Sequence, residues 1–425
     1  MNKILFTLTF MLLCGPRFNF PDLNILFTFV LAVLSPILLI IYRLLNKECA
    51  LFIGICLLLS ISFTISVLIN DLESLYPLVD ASILILTFLS SYALVVLYKV
   101  YFLEYFREKL LVHIQYSYLI NCIFVVSVML VPGVSQFSAS VLSQNAKMVG
   151  LAEESIRAFD LVMGGGATAS IVFCIVFNIN LCLYLSKKNK LSAICMIFSL
   201  LAILFTGRTG LYLVFLSLIP VMLLFNFCFY HEFRLIKTLL LVLRVVLITI
   251  VGMSTMLFTL DSLSPDIFEL IVLNNFGWAF EPVINFFATG AFTTESTSRL
   301  SEMYEQDSVD FTTLFSFWGT GFSGRELDNI LRTDIGYVRA LYSVGFIGMF
   351  LIYFKNIYVL FVGLSNVPKV KFERDKVVFV VSLILYSVVI FLVNFKEYHM
   401  NVRSGLPLLF LLFITVSLNS NKEVR

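Results

Sequence analysis

Charge is what this sequence has least of. Asp, Glu, Lys and Arg make up 13% of its 425 residues, while AVILMFWYC make up 60%. A soluble domain is nearer a quarter charged and half apolar. Together with a mean hydropathy of +0.98, this excludes a soluble globular enzyme. Basic tails and Arg-rich arms are also missing, and the net charge of +2 is spread along the chain, so nothing points to nucleic acid. There is no Cys-x-x-Cys. The eight cysteines, Cys14, Cys49, Cys56, Cys122, Cys174, Cys182, Cys195 and Cys228, all fall in or at the ends of apolar runs and read as small helix residues. No Asp-x-Asp occurs (Asp71-Leu72-Glu73 comes nearest), no Walker motif and no His-Glu-x-x-His. Chemistry is therefore expected to run without ATP, cofactor or metal.

What is present is a series of apolar runs of about 20 residues, the pattern of an all-α polytopic membrane protein. Twelve runs are expected: Met1–Cys14, Asn24–Tyr42, Ala50–Ile69, Tyr76–Tyr98, Leu110–Val131, Phe159–Leu185, Leu191–Thr206, Leu211–Tyr230, Thr238–Leu257, Gly336–Val362, Val377–Val393 and Val402–Leu418. A polar interruption of some 77 residues, Phe258 to Asp334, separates the ninth from the tenth. The expected organisation is thus helices 1–9 in residues 1–257, one long loop in 258–335, and helices 10–12 in 336–425.

Alternating the runs places 17 Lys and Arg on one side and ten on the other. The richer side is expected to be cytoplasmic, with both termini inside and the long loop outside. Residue type separates the sides further. Twelve of the 17 inside are Lys, whereas eight of the ten outside are Arg. Arginine offers a planar, permanently charged fork that matches phosphate or carboxylate oxygens two at a time. The outer face therefore reads as built to hold an anion.

Several outer segments carry that reading. Gly207-Arg208-Thr209-Gly210 joins two runs through very few residues, and an arginine so near the membrane edge is expected to face a polar cavity. Its bland alternative is an arginine snorkelling to headgroups beside a glycine turn. Glu153-Glu154-Ser155-Ile156-Arg157-Ala158-Phe159-Asp160 precedes Gly164-Gly165-Gly166-Ala167. Arg157 there is a candidate anion ligand, or one half of a surface pair beside a close helix contact. Asp334-x-Gly-Tyr-x-Arg339 leads into the tenth run, with Gly345 and Gly348 following. In Lys396-Glu397-Tyr398-His399-Met400-Asn401-Val402-Arg403, His399 is a candidate proton acceptor or a plain interfacial anchor. Trp318-Gly319-Thr320-Gly321-Phe322-Ser323-Gly324-Arg325 lacks the following Lys-Ser/Thr of a P-loop and reads as a tight loop, with phosphate cradling the alternative. Arg299 and Arg325 lie within the long loop.

Twelve runs, Gly-Arg-Thr-Gly in an outer link, a long late outer loop and Asp-x-Gly-Tyr-x-Arg followed by Gly-x-x-Gly together resemble the bacterial O-antigen polymerase (Wzy) family. The resemblance is concentrated at Arg208–Gly210 and Thr297–Gly348. It implies a glycosyltransferase of the lipid-linked (GT-C-like) kind in the inner membrane of Gram-negative bacteria. Such an enzyme joins repeat units carried on undecaprenyl pyrophosphate at the periplasmic face. The implied partners are the lipid-linked donor and acceptor, the bilayer and a chain-length regulator. Arg157, Arg208, Arg339 and Arg403 are then expected on the pyrophosphate, Arg299 and Arg325 on the acceptor or loop, and Asp334, Glu154 or His399 as the base. An O-antigen ligase shares the plan but differs in acceptor. A repeat-unit flippase should show two related halves and mid-depth charges. A structural component of a secretion complex would not explain the arginine bias.

Overall fold

The computed structural model describes residues 1–18, 22–42, 46–69, 75–142, 157–162, 166–230, 280–291, 317–321, 335–370, 373–395 and 405–418 continuously, with single residues scattered between 236 and 302. Among these the structure is helical, with two isolated bridges and no strand. We number the helices α1 (Asn2–Cys14), α2 (Leu23–Tyr42), α3 (Lys47–Ile69), α4 (Tyr76–Phe102), α5 (Phe106–Leu130), α6 (Pro132–Val141), α7 (Ala167–Lys187), α8 (Lys190–Thr206), α9 (Arg208–Tyr230), α10 (Glu281–Thr289), α11 (Gly336–Asn366), α12 (Glu373–Val393) and α13 (Leu406–Ser417). Among the described residues, seven helical spans are long and apolar enough to cross a membrane, with the α4–α5 stretch Pro77–Leu130 counted as one. This is a helical membrane protein.

Among the described residues, eleven of the twelve expected runs are helices. The ninth, Thr238–Leu257, falls largely outside them. Two starts differ from expectation. The sixth run begins at Ala167, not Phe159, and residues 157–162 are non-helical yet largely buried. Their backbone groups are satisfied by neighbours: Ala158 N–H donates to the Phe205 carbonyl at 2.8 Å, and Arg17 N–H donates to the Leu161 carbonyl at 3.0 Å. Buried irregular backbone survives only when protein satisfies it in this way. The last run begins at Leu406, not Val402, so Pro407 sits in the first turn, where its missing N–H costs nothing. α1 and α13, of 13 and 12 residues, reach only about 18–20 Å, less than a bilayer core.

The chain divides into two compact units. The first comprises Met1–Thr28, Leu97–Ile284 and Val370–Leu385. Its centre is the sheaf of α5, α7, α8 and α9, with α1 on α5. Small residues let these helices approach closely: Ala169, Ser170, Cys174 and Cys182 on α7, and Ser192, Cys195, Ser199 and Ala202 on α8 are all buried. Buried polar side chains pair across the gaps. Gln115 donates to Asn180 at 2.7 Å and to Ser192 at 2.9 Å, and Asn178 donates to Ser217 at 3.0 Å. Such pairs hold membrane helices together where lipid gives no hydrophobic drive. The α7–α8 hairpin turns on two residues. Lys188 takes the left-handed conformation that ends a helix, and the Asn189 side chain accepts from Leu191 N–H to start the next.

The second unit comprises Phe29–Val96, Asn285–Lys369 and Tyr386–Arg425. Here α11 packs on α3 and α13. Its core is aromatic: Phe52 lies 4.5 Å from Phe88, 5.3 Å from Phe410 and 5.7 Å from Phe413, centroid to centroid. α11 is broken at Gly345, whose φ of 67° no helix interior tolerates. Trp318–Gly321 lies against the break. Thr320 N–H donates to the Tyr342 carbonyl at 2.8 Å and Gly321 N–H to the Ser343 carbonyl at 2.9 Å, and the Ser66 hydroxyl donates to the same Ser343 carbonyl at 3.1 Å. In the described part of the glycine-rich segment, 318–321, those two amides are committed to α11, and 322–325 lie outside the described residues.

Candidate functional site

The first unit brings Arg157 and Arg208 to one contact. A single residue, Gly207, joins α8 to α9, so Arg208 is the first residue of α9 and not part of a longer link. A Cβ on Gly207 would stand 2.6 Å from the Gly166 carbonyl oxygen and 2.7 Å from Ser170 Oγ. A Cβ on Gly210 would overlap the Ser170 backbone, and Gly210 N–H donates to Ser170 Oγ at 3.2 Å. The glycines of Gly-Arg-Thr-Gly therefore admit the start of α7, a neighbouring backbone in direct contact. Arg157 reaches the same contact. Its Nη1 lies 3.5 Å from where a Cβ on Gly166 would stand.

Two helix N-termini, those of α7 and α9, thus meet at Gly166 and Gly207. Each carries roughly half a positive charge from its unshared amides, and two guanidinium groups stand beside them. Arg208 is 8% exposed, and its Nη1 donates to the Glu281 carboxylate at the start of α10. Glu281 is 27% exposed. A carboxylate already sits on the guanidinium, so the site accepts an anion and one face of that anion is open. Tyr212, one turn along α9, adjoins both Arg208 and Glu281. Asp160 is buried nearby in sequence, 3.5 Å from Asn121 Nδ2, while Asn121 Oδ1 accepts from Leu161 N–H at 3.0 Å. These contacts fix the non-helical stretch that carries Arg157.

Arg339 belongs to the second unit. It is the fourth residue of α11, 9% exposed, and interacts electrostatically with Asp80 of α4. Lys355, fully buried on the far side of the Gly345 break, interacts with the same carboxylate. The rest of the Gly-Tyr-x-Arg motif packs the helix. A Cβ on Gly336 would overlap Asn394, whose amide donates to the Tyr353 hydroxyl, and Tyr337 stacks on Tyr353 and donates to the Phe391 carbonyl at 3.0 Å.

Glu154, Arg299, Arg325, Asp334, His399 and Arg403 lie outside the described residues. Sequence reasoning did not single out Glu281, one acidic residue among several in a long polar stretch. It also passed over Asp80 and set Lys355 aside, although an ionisable residue inside an apolar run is itself a signal. Comparison with protein-family models and with curated proteins finds no match.

Proposed function

We propose that the chain is an O-antigen polymerase, a glycosyltransferase that joins repeat units carried on undecaprenyl pyrophosphate. The observation that carries this reading is the placement of Arg157 and Arg208 at the Gly166–Gly207 contact, where two helix N-termini meet. The reaction moves the growing chain from its lipid diphosphate to a hydroxyl at the non-reducing end of the next unit. Negative charge accumulates on the diphosphate as its bond to the anomeric carbon lengthens. Cationic forks already in place stabilise that charge more than they stabilise the substrate, which is what accelerates a reaction. One such donor is worth roughly 2.7–4 kcal/mol.

The polarity of the first unit supports a site at one membrane face. α7 has 21 residues, about 31 Å, which matches a bilayer core. Arg157 and Arg208 stand at its Gly166 end. Lys187 stands at the other, 3.0 Å from Glu108 and 3.6 Å from Asp375. With the lysine end cytoplasmic, the arginine end is periplasmic, and residues 258–335 form a periplasmic loop of an inner-membrane protein. Partners in this reading are the lipid-linked donor and acceptor and a chain-length regulator.

The surface polysaccharide ladder of a deletion strain tests the function. Loss of a polymerase leaves cores capped with single repeat units. Loss of a ligase leaves long chains on the carrier lipid, and loss of a flippase leaves no O-antigen; either result would sink the proposal.

A further inference from the structure

We propose that Glu281 is the group that takes the acceptor's proton, and that it is free to do so only after the donor's diphosphate has displaced it from Arg208. This rests on the polymerase reading and deepens it.

The argument starts from occupancy. Arg208 is nearly buried and already holds a carboxylate. Its guanidinium presents further N–H groups, yet the carboxylate sits on the charge that a phosphate would seek. Binding of a diphosphate at Arg208 therefore competes with Glu281. The competition is uneven. A diphosphate carries more charge than the carboxylate it must displace from Arg208 Nη1, and it has more oxygens to offer the guanidinium fork. Glu281 is also the more exposed partner, at 27% against 8%, and it starts a helix of only nine residues. It is the member of the pair that lies nearer the surface.

Once displaced, the carboxylate remains beside the diphosphate and hence beside the anomeric carbon that the diphosphate leaves. An acceptor hydroxyl attacking that carbon must lose a proton. In the step we assign, the acceptor oxygen forms a bond to the anomeric carbon. The bond from that carbon to the diphosphate oxygen breaks, and its electron pair leaves on the diphosphate. The hydroxyl proton passes to the Glu281 carboxylate, which later gives it to water or to the departing diphosphate and returns to Arg208. One residue thereby closes the empty site and serves the filled one. The coupling also favours the order donor first, acceptor second.

The test uses Glu281→Gln and Glu281→Asp in the full chain. Each is returned to a deletion strain for its polysaccharide ladder, and each is purified in phosphatidylcholine nanodiscs for titration with inorganic pyrophosphate. Glu281→Gln should reduce elongation about 100-fold or more, leaving single-repeat products. It should bind pyrophosphate about tenfold more tightly, because the competing carboxylate has gone. Glu281→Asp should retain part of the ladder and near wild-type pyrophosphate affinity. A full ladder from Glu281→Gln overturns the proton role. Weaker pyrophosphate binding by both variants overturns the displacement and makes Glu281 a fold-ordering residue only. If the wild-type gene itself fails to restore long chains, the polymerase reading falls, while tighter pyrophosphate binding by Glu281→Gln would still mark Glu281 as the occupant of the anion site.

Discussion

Arg208 and Arg339 each stand at the start of a long apolar helix, and the two are held differently. Arg208 opens α9 beside a one-residue link, and its carboxylate partner is a quarter exposed on a nine-residue helix. Arg339 lies within the first turn of α11, shares Asp80 with a fully buried lysine, and sits on a helix whose break is sealed by a glycine-rich loop. The first arrangement can exchange its anion. The second is built from groups that no solvent-borne ion readily replaces. An arginine that pairs with a part-exposed carboxylate is placed for ligand exchange, whereas one that balances charge inside a helix sheaf contributes first to holding the unit together.

The largest effect expected from breaking this contrast is on activity at the exchangeable site. Arg208→Lys keeps the charge but loses the fork, and should lower elongation by roughly 100- to 1,000-fold with little change in melting temperature. A normal ladder from this variant would remove Arg208 from the diphosphate. Asp80→Asn should do the reverse. It leaves two buried cations with one carboxylate fewer, costing about 3 kcal/mol of stability, measured as a lowered unfolding midpoint in nanodiscs. A second change, Lys355→Met, should restore much of that stability; if it does not, the two are not energetically coupled. Gly345→Ala and Gly207→Ala compare the two backbones. The first forces a side chain onto a left-handed φ against Phe317 and Trp318, the second only against the Gly166 carbonyl and Ser170 Oγ. We expect about 2–3 kcal/mol for Gly345→Ala and about 1–2 for Gly207→Ala, with activity falling further than stability only for Gly207→Ala. The smallest effect should come from Gly54→Ala on α3, where nothing lies within 4 Å of the new methyl group. There helix propensity alone acts, and a gain of up to about 1 kcal/mol is expected.

Much of the fold could be read in advance because apolar runs of bilayer length leave few alternatives. Where reading failed, short-range pattern and tertiary placement disagreed. Phe159, Leu161 and Val162 are as apolar as the helix that follows, so the run looked continuous. Gly164-Gly165-Gly166 marked the break, but did not say that the preceding stretch would be buried as irregular backbone against Phe205 and Asn121. Arg208 was legible because an arginine between two glycines at a membrane edge has few ordinary reasons to be there. Its partner was not, since nothing in the sequence separates Glu281 from Glu302 or Glu305. Lys355 and Asp80 had a local signal, each being an ionisable residue in an apolar run, but their shared electrostatics depends on α11 bending at Gly345, and a glycine in an apolar run does not announce how far the helix turns.

The buried lysine also bears on how the protein is made. Asp80 leaves the ribosome about 275 positions before Lys355, an interval of roughly 15–55 s at ordinary rates of synthesis. For that time the carboxylate waits without the lysine, and it lies only five residues into α4, where the membrane edge is close. The lysine has the opposite history. It arrives within α11 when α3 and α4 have already been made, so its counter-charge precedes it into the lipid. The costly ion comes last, to a place already prepared, and the order of residues along the chain doubles as an order of insertion.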